Sequence, residues 1–207
     1  FYLDTRGLRQ WALKNLTDKT VLNTFAYTGS IGVAALVGGA KEVMHLDLNG
    51  SFLELAKRST DMNQKLVRKG DFHIADFWSR ITQYKRSGKT FDCVILDPPV
   101  FSKTQKGIID ITKNYKTLIN KVRPLINHNG YLITINNALF QSGKAHQSEL
   151  NDLCKDGYLA IESTIDVPCD CIGDFVSLQD CLPADPAPYN HATKITILRV
   201  KKKGGSL

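Results

Sequence analysis

Apolar runs rich in β-branched residues alternate along this chain with longer segments of helical period, and that alternation limits the fold more than any other feature. The runs are TVLNTF (20–25), EVMHLDL (42–48), DFHIAD (71–76), FDCVILD (91–97) and GYLITIN (130–136). Between them, SIGVAALVGG (30–39) reads as a short helix stopped by glycine. SFLELAKRSTDMNQKL (51–66) reads as an amphipathic helix with Phe52, Leu55, Ala56, Ser59 and Met62 on its apolar face. FWSRITQYKRSG (77–88) and ITKNYKTLINKVRPLI (111–126) are the next helices, the second bent or ended by Pro124. A helix over 144–157 leads to two closing strands, 158–167 and 193–200, joined by a long polar loop, 168–192. Helices between successive strands imply a parallel sheet covered on both faces. The absence of a helix before the last strand implies one antiparallel edge strand. The expected class is therefore α/β, with a seven-stranded, mostly parallel sheet.

The 207 residues suffice for one domain, expected over 1–203, with 204–207 as a tail. At 43% apolar and 23% charged residues the chain reads as globular rather than disordered. No apolar run approaches the ~20 residues of a membrane span, so no membrane partner is expected. Cysteines at 93, 154, 169, 171 and 181 form an odd, uneven set that argues against a secreted disulfide framework and for a reducing cytoplasm. Cys169, Cys171, Cys181 and His191 fit no common zinc spacing, so no metal is expected. A net charge of +7 favours a polyanionic partner, RNA or DNA.

Ligands of such sheets bind beyond the carboxyl ends of the strands, so the residues after each strand are the ones to read. After the first comes FAYTGSIG, where Gly29 allows a tight turn and close approach to a ligand; the G-x-G-x-x-G of a dinucleotide site is missing. After the second comes Asp47, placed to accept both hydroxyls of a ribose, with the candidate helix cap Asn49 beside it. After the third, Asp76 is a candidate acceptor for an adenine amino group, with Phe77 packing on the ring, or else a helix cap. After the fourth, Asp97-Pro98-Pro99 cannot continue a strand; the prolines stiffen the chain and leave carbonyls free for a nucleobase. Phe101 is then a candidate for stacking on that base, and Lys103, Lys106, Lys113 and Lys116 for meeting phosphates. After the fifth, Asn136 and Asn137 add amides beside Asp97. Tyr189, Asn190 and His191 of the long loop are candidates for closing over the base. His45 and His73 read as satisfied core histidines, and Trp11 and Trp78 as packing residues.

These strand ends resemble those of class I S-adenosylmethionine-dependent methyltransferases with a Rossmann-like fold. More narrowly, the chain is similar to the bacterial 23S ribosomal RNA methyltransferases of the large-subunit I and K/L type. The family's segment before the first strand corresponds to YLDTRGLR, its aromatic-rich turn to Phe25-Ala26-Tyr27-Thr28-Gly29, and its DPP-x-F motif to Asp97–Phe101. The resemblance implies S-adenosylmethionine as cofactor, ribosomal RNA as partner and an N-terminal RNA-binding domain upstream of Phe1. It adds Tyr2, Asp4, Arg6, Phe25, Tyr27 and Thr28 to the cofactor residues Gly29, Asp47, Asn49, Asp76, Phe77 and Asp97. It makes Asp97, Pro98, Pro99, Phe101 and Asn136 the residues at the reacting base.

One departure bears on chemistry. The 5-methylcytosine members carry a cysteine after the fifth strand, where this chain has ITINNA. Cytosine C5 needs a thiolate added at C6 before it attacks, whereas guanine N7 is already a nucleophile. The asparagine pair resembles the guanine-N7 half of the K/L protein, so N-methylation is favoured over C5. A methyltransferase acting on a small molecule or protein, and a non-catalytic module that only binds the cofactor and RNA, are the alternatives.

Overall fold

The structure, a computed structural model, describes residues 2–172 and 184–202. Its helices are α1 (Arg6–Asn15), α2 (Ser30–Val37), α3 (Gly50–Met62), α4 (Phe77–Ser87), α5 (Tyr115–Val122) and α6 (Gly143–Cys154). Its strands are β1 (Thr20–Thr24), β2 (Glu42–Asp47), β3 (Phe72–Ile74), β4 (Phe91–Leu96), β5 (Phe101–Thr104), β6 (Gly107–Asp110), β7 (Ile126–Asn136), β8 (Leu159–Ile165) and β9 (Lys194–Val200). Seven of the strands form one sheet in the order β3-β2-β1-β4-β7-β9-β8, parallel from β3 through β7. The chain runs outward from β1 to β3 and then returns to β4, so the strand order reverses between β1 and β4, where such sheets bind ligands.

The expected antiparallel strand is present, but one place in from the edge: β9 runs antiparallel to both β7 and β8. Composition explains the swap. KITILRV is buried at all but one position, whereas LAIESTI exposes most of its side chains. The apolar strand takes the interior position with two partners, and the polar one serves as the edge.

Consecutive strand residues feed opposite layers, as strand pleating requires. Val21, Cys93, Ile95 and Ile133 pack against Leu8 and Ala12 of α1 and Ile31 and Ala34 of α2. Leu22, Val94, Leu96 and Leu132 pack against α4, α5 and α6 through Ile81, Leu118 and Leu150. Helix α3 corrects its expected face. Leu53, Ala56 and Thr60 are the buried positions, while Leu55 and Met62 are exposed. Ala56 belongs to both faces; the helix is rotated so that Leu53 and Thr60 are buried with it, and Ala56 lies against the turn after β1.

Pro124 ends α5 as expected, in a 3-10 turn over Arg123–Leu125. Helix α1 and the β5–β6 hairpin have no counterpart in the sequence reading. His45 is a core residue and His73, on the edge strand β3, is half-buried; each keeps a buried Nε2 without a partner. His45 lies flat on Phe72 at 5.0 Å, and burial pushes its imidazole down to about 4, so it stays neutral at pH 7. Trp11 packs edge-on against Tyr131. Among the described residues no helix is long and apolar enough to cross a membrane.

A carboxylate-lined cleft at the strand ends

A cleft of about 610 Å³ opens at the carboxyl ends of the parallel strands. Its floor begins with the turn after β1, where Phe25 (φ 54°), Tyr27 (φ 49°) and Gly29 (φ 75°) all adopt left-handed backbone. For the two aromatics this costs about 1–2 kcal/mol each, a strain that clusters at functional sites. It turns both rings toward the cleft. Phe25 stacks on Phe77 at 4.8 Å, and Tyr27 meets Phe52 at 4.4 Å and Tyr2 at 5.5 Å. Thr28 and Gly29 shape the turn without lining the cleft.

Asp47 ties this turn to the end of β2. Its Oδ2 accepts from the Tyr27 amide and its Oδ1 from the Asn49 amide, both at 2.8 Å. Each carboxylate oxygen keeps a second lone pair for a ligand hydroxyl. Asn49 caps α3 by accepting from the Ser51 amide and does not face the cleft. Asp76 is a helix cap that also borders the cleft. It caps α4 through the Ser79 amide and accepts from Thr104 Oγ1 at 2.7 Å, which draws the hairpin over.

The hairpin wall alternates as strands do. Ser102 and Thr104 line the cleft, while Phe101 and Lys103 point away, Phe101 being 62% exposed. Phe101 therefore does not face the site that Asp97, Pro98 and Pro99 line. Asp97 is partly open to the cleft and accepts no hydrogen bond from a described residue. Burial pushes its carboxyl up to about 7, with the charge of Asp4 adding to the shift. Asp4 accepts from Thr193 Oγ1 at 2.8 Å through Oδ2, and its buried Oδ1 has no partner. Arg6, two residues on, does not line the cleft and pairs at the surface with Asp170.

At the end of β7 the neighbouring asparagines separate. Asn136 is fully buried, accepting from the Ala138 amide and donating to Gln141 Oε1; Asn137 is the one that lines the cleft. Behind it lies Lys194, wholly buried, whose Nζ donates to the carbonyls of Ala138 at 3.0 Å and Ala192 at 2.7 Å. Burial pushes this ammonium down to about 8.

Tyr189, Asn190 and His191 of the long loop do not line the cleft. Tyr189 is buried on Gln147 and Thr196, Asn190 brackets the Val167 backbone, and His191 accepts from the Thr193 amide. Cys181 and the rest of 173–183 lie outside the described residues. Among the described residues no group of three or more His, Cys, Asp and Glu could hold a metal ion.

Among the described residues, four carboxylates, those of Asp4, Asp47, Asp76 and Asp97, thus line the cleft, and no Lys, Arg or His does, in a chain of net charge +7. Such a site suits a cationic nucleoside and repels phosphates. Residues 1–144 match the sequence profile of the S-adenosylmethionine-dependent methyltransferases. The chain belongs to that family. It is 36% identical over 156 residues to a ribosomal RNA large subunit methyltransferase I of Tolumonas auensis, covering 75% of this chain and 39% of that one. A second of that name, from Aliivibrio fischeri, is 33% identical over 162 residues, 78% of this chain and 41% of the other. The methyltransferase domain described here thus spans about two-fifths of the length of these relatives. The fold matches a SAM-dependent methyltransferase from Streptococcus mutans with a TM-score of 0.80 at 23% identity, over 97% of this chain and 50% of that one. It also matches a methyltransferase solved in complex with S-adenosylhomocysteine, with a TM-score of 0.82 at 23% identity over the same shares.

The residues present fit the family's cofactor, S-adenosylmethionine. The orphaned Asp4 Oδ1 and the unpartnered Asp97 carboxyl supply negative charge for its cationic end. The hairpin matters to this methyltransferase because it closes tightly on α4. A Cβ at Gly107 would stand 2.4 Å from Trp78 Nε1. Gly107→Ala should lift the hairpin tip, strain the Thr104–Asp76 bond, and cost about 1–3 kcal/mol of stability. Denaturant melts and calorimetric titration with S-adenosylhomocysteine should both register it; a variant normal in both would show that the hairpin rides freely.

Proposed function

We propose that this domain methylates a base of large-subunit ribosomal RNA, at a ring or exocyclic nitrogen such as guanine N7 rather than at cytosine C5. The observation that carries the reading is the lining of the cleft: carboxylates for a cationic donor, a diproline corner for a flat base and, among the described residues, no thiol. When bound, S-adenosylmethionine supplies an electrophilic methyl group on a sulfonium. The chain's own task is alignment. Asp47 holds the ribose hydroxyls, and Asp76 with Phe77 holds the adenine. Asp4 and Asp97 face the cationic end. Asn137 and the carbonyls of the diproline corner hold the edge of the accepting base.

Nitrogen is favoured because it needs no covalent help. Among the described residues no cysteine lines the cleft. Cys93 is sealed inside β4, where burial pushes its thiol up and leaves it inert; the Cys154 thiol is also raised by burial. The names of the relatives support RNA of the large ribosomal subunit as the substrate.

The test is transfer of a labelled methyl group to large-subunit ribosomal RNA from cells lacking the enzyme, followed by nucleoside analysis. Label is expected in an N-methylated base. Label in 5-methylcytidine would overturn the nitrogen reading, and label on protein or small molecules alone would overturn the RNA reading. Asp47→Ala should weaken S-adenosylhomocysteine binding about 10- to 150-fold, the loss of roughly 1.5–3 kcal/mol for hydrogen bonds to a charged group. An unchanged affinity in calorimetry would mean the ribose lies elsewhere.

A further inference from the structure

A second groove, of about 520 Å³, lies on the far side of the wall that bounds the cleft. Two successive residues of α4 divide the spaces: Phe77 lines the cleft and Trp78 the groove. The hairpin does the same, with Thr104 facing the cleft and Lys106, at its tip, facing the groove. From Trp78 the groove follows one face of α4 through Thr82 to Arg86, and Lys121 of α5 forms its other bank.

Its charge is the opposite of the cleft's. Among the described residues Arg86, Lys106 and Lys121 line it, and no carboxylate does. None of these three forms an ion pair with a described residue. Several other cations nearby are already paired. Lys113 is paired with Asp110, Lys116 with Asp152, Arg123 with Asp156 and Lys89 with Glu42. Two of the four lysines that the sequence offered for phosphates are thus already neutralised locally, while Arg86 and Lys121, which it did not offer, are available. Lys85, next to Arg86, is held below its usual value by partial burial and then by the charge of Lys121. The chain therefore gathers like charges here without internal counter-ions, which favours an anion from outside.

We propose that this groove, lined by Arg86, Lys106 and Lys121, binds backbone phosphates of the RNA whose target base enters the adjoining cleft. The proposal rests on the RNA reading above and extends it by naming where the strand runs. A nucleic acid matches both surfaces at once. Its uncharged base suits the carboxylate-lined cleft, and its phosphates suit the cationic groove one hairpin's width away. An acidic peptide would satisfy the groove but offers nothing flat and neutral to the cleft.

The test uses the full-length protein with Arg86→Ala, Lys106→Ala and Lys121→Ala combined, and Lys116→Ala as a control in which a paired lysine is removed. Binding of a short single-stranded RNA is followed by fluorescence anisotropy across a salt series, beside methyl transfer and S-adenosylhomocysteine titration. The triple variant should bind RNA at least tenfold more weakly. Its log–log salt slope should shrink by about 2, at about 0.7 per lost phosphate contact. Cofactor affinity and the thermal midpoint should stay as in the parent, and Arg86→Lys with Lys121→Arg should restore binding. Unchanged RNA affinity and salt slope would overturn the proposal, as would polyglutamate binding the parent as tightly as RNA of equal charge. Loss of RNA binding in the triple variant, in a parent that transfers no methyl group to RNA, would uphold the groove and refute the proposed reaction.

Discussion

Asp97→Asn is expected to stabilise the free protein at neutral pH while removing most of its methyl transfer. The carboxyl titrates near 7 in the folded state, against 3.8 without the fold, because burial and Asp4 both disfavour its charge. Between those values the folded chain holds a proton that the unfolded chain has released. Stability therefore falls as pH rises from about 4 to about 7 and levels off above. Three pKa units are worth roughly 4 kcal/mol, and the open side of the cleft reduces this to on the order of 3 kcal/mol. Asparagine does not titrate. Denaturant melts should show the variant gaining on the parent between pH 4 and pH 8 by about that amount. The same difference at both pH values would mean the carboxyl is not perturbed. Activity should move the other way: a bound cation favours ionised Asp97, and losing that charge should lower kcat by roughly 10²–10³, the scale for one electrostatic group at a reacting centre.

Gly29→Ala is the second large effect. The residue sits at φ 75° as the cap of α2, and a Cβ there would stand 2.5 Å from Ala56 Cβ and 3.1 Å from the His45 ring. The left-handed backbone costs about 1–2 kcal/mol for alanine. Overpacking adds about 1–3 kcal/mol, because His45 is fully buried and stacked on Phe72 and has no room to yield. The total is a large fraction of the stability of a typical domain. Cofactor binding should suffer as well, since the turn carries the Tyr27 amide that Asp47 holds. Adding Ala56→Gly should return the share of the overpacking due to Ala56 and leave the His45 and backbone shares, a double-mutant cycle readable from denaturant midpoints. No recovery at all would show that contact with Ala56 is not the cause.

How far the sequence disclosed this site depends on which physical rule governs each residue. Asp47, Asp76 and Asp97 were legible because strand ends in an alternating α/β chain converge on one edge, whatever the side chains do. The diproline corner was legible for the same reason. What stayed hidden was direction. Asn136 and Asn137 are equivalent in a string of letters, yet pleating buries the first and presents the second. Phe101 follows the motif but stands on the outer face of a hairpin whose four-residue strands are too short and polar to announce themselves. Alternation along Phe101–Thr104 would have pointed to Ser102 and Thr104 had the strand been recognised. Arg6 and Asp4 share one motif, yet Asp4 lines the cleft and Arg6 does not. Lys194 carried no signal, since nothing local distinguishes a buried lysine held by two carbonyls from a solvated one.

A crystal structure of the domain with S-adenosylhomocysteine tests the central claim most directly. It should show the ribose on Asp47, the adenine beside Asp76 and Phe77, and the sulfur turned toward Asp97 and Asn137. A nucleoside bound outside this cleft, or a sulfur facing away from Asp97, would contradict the account.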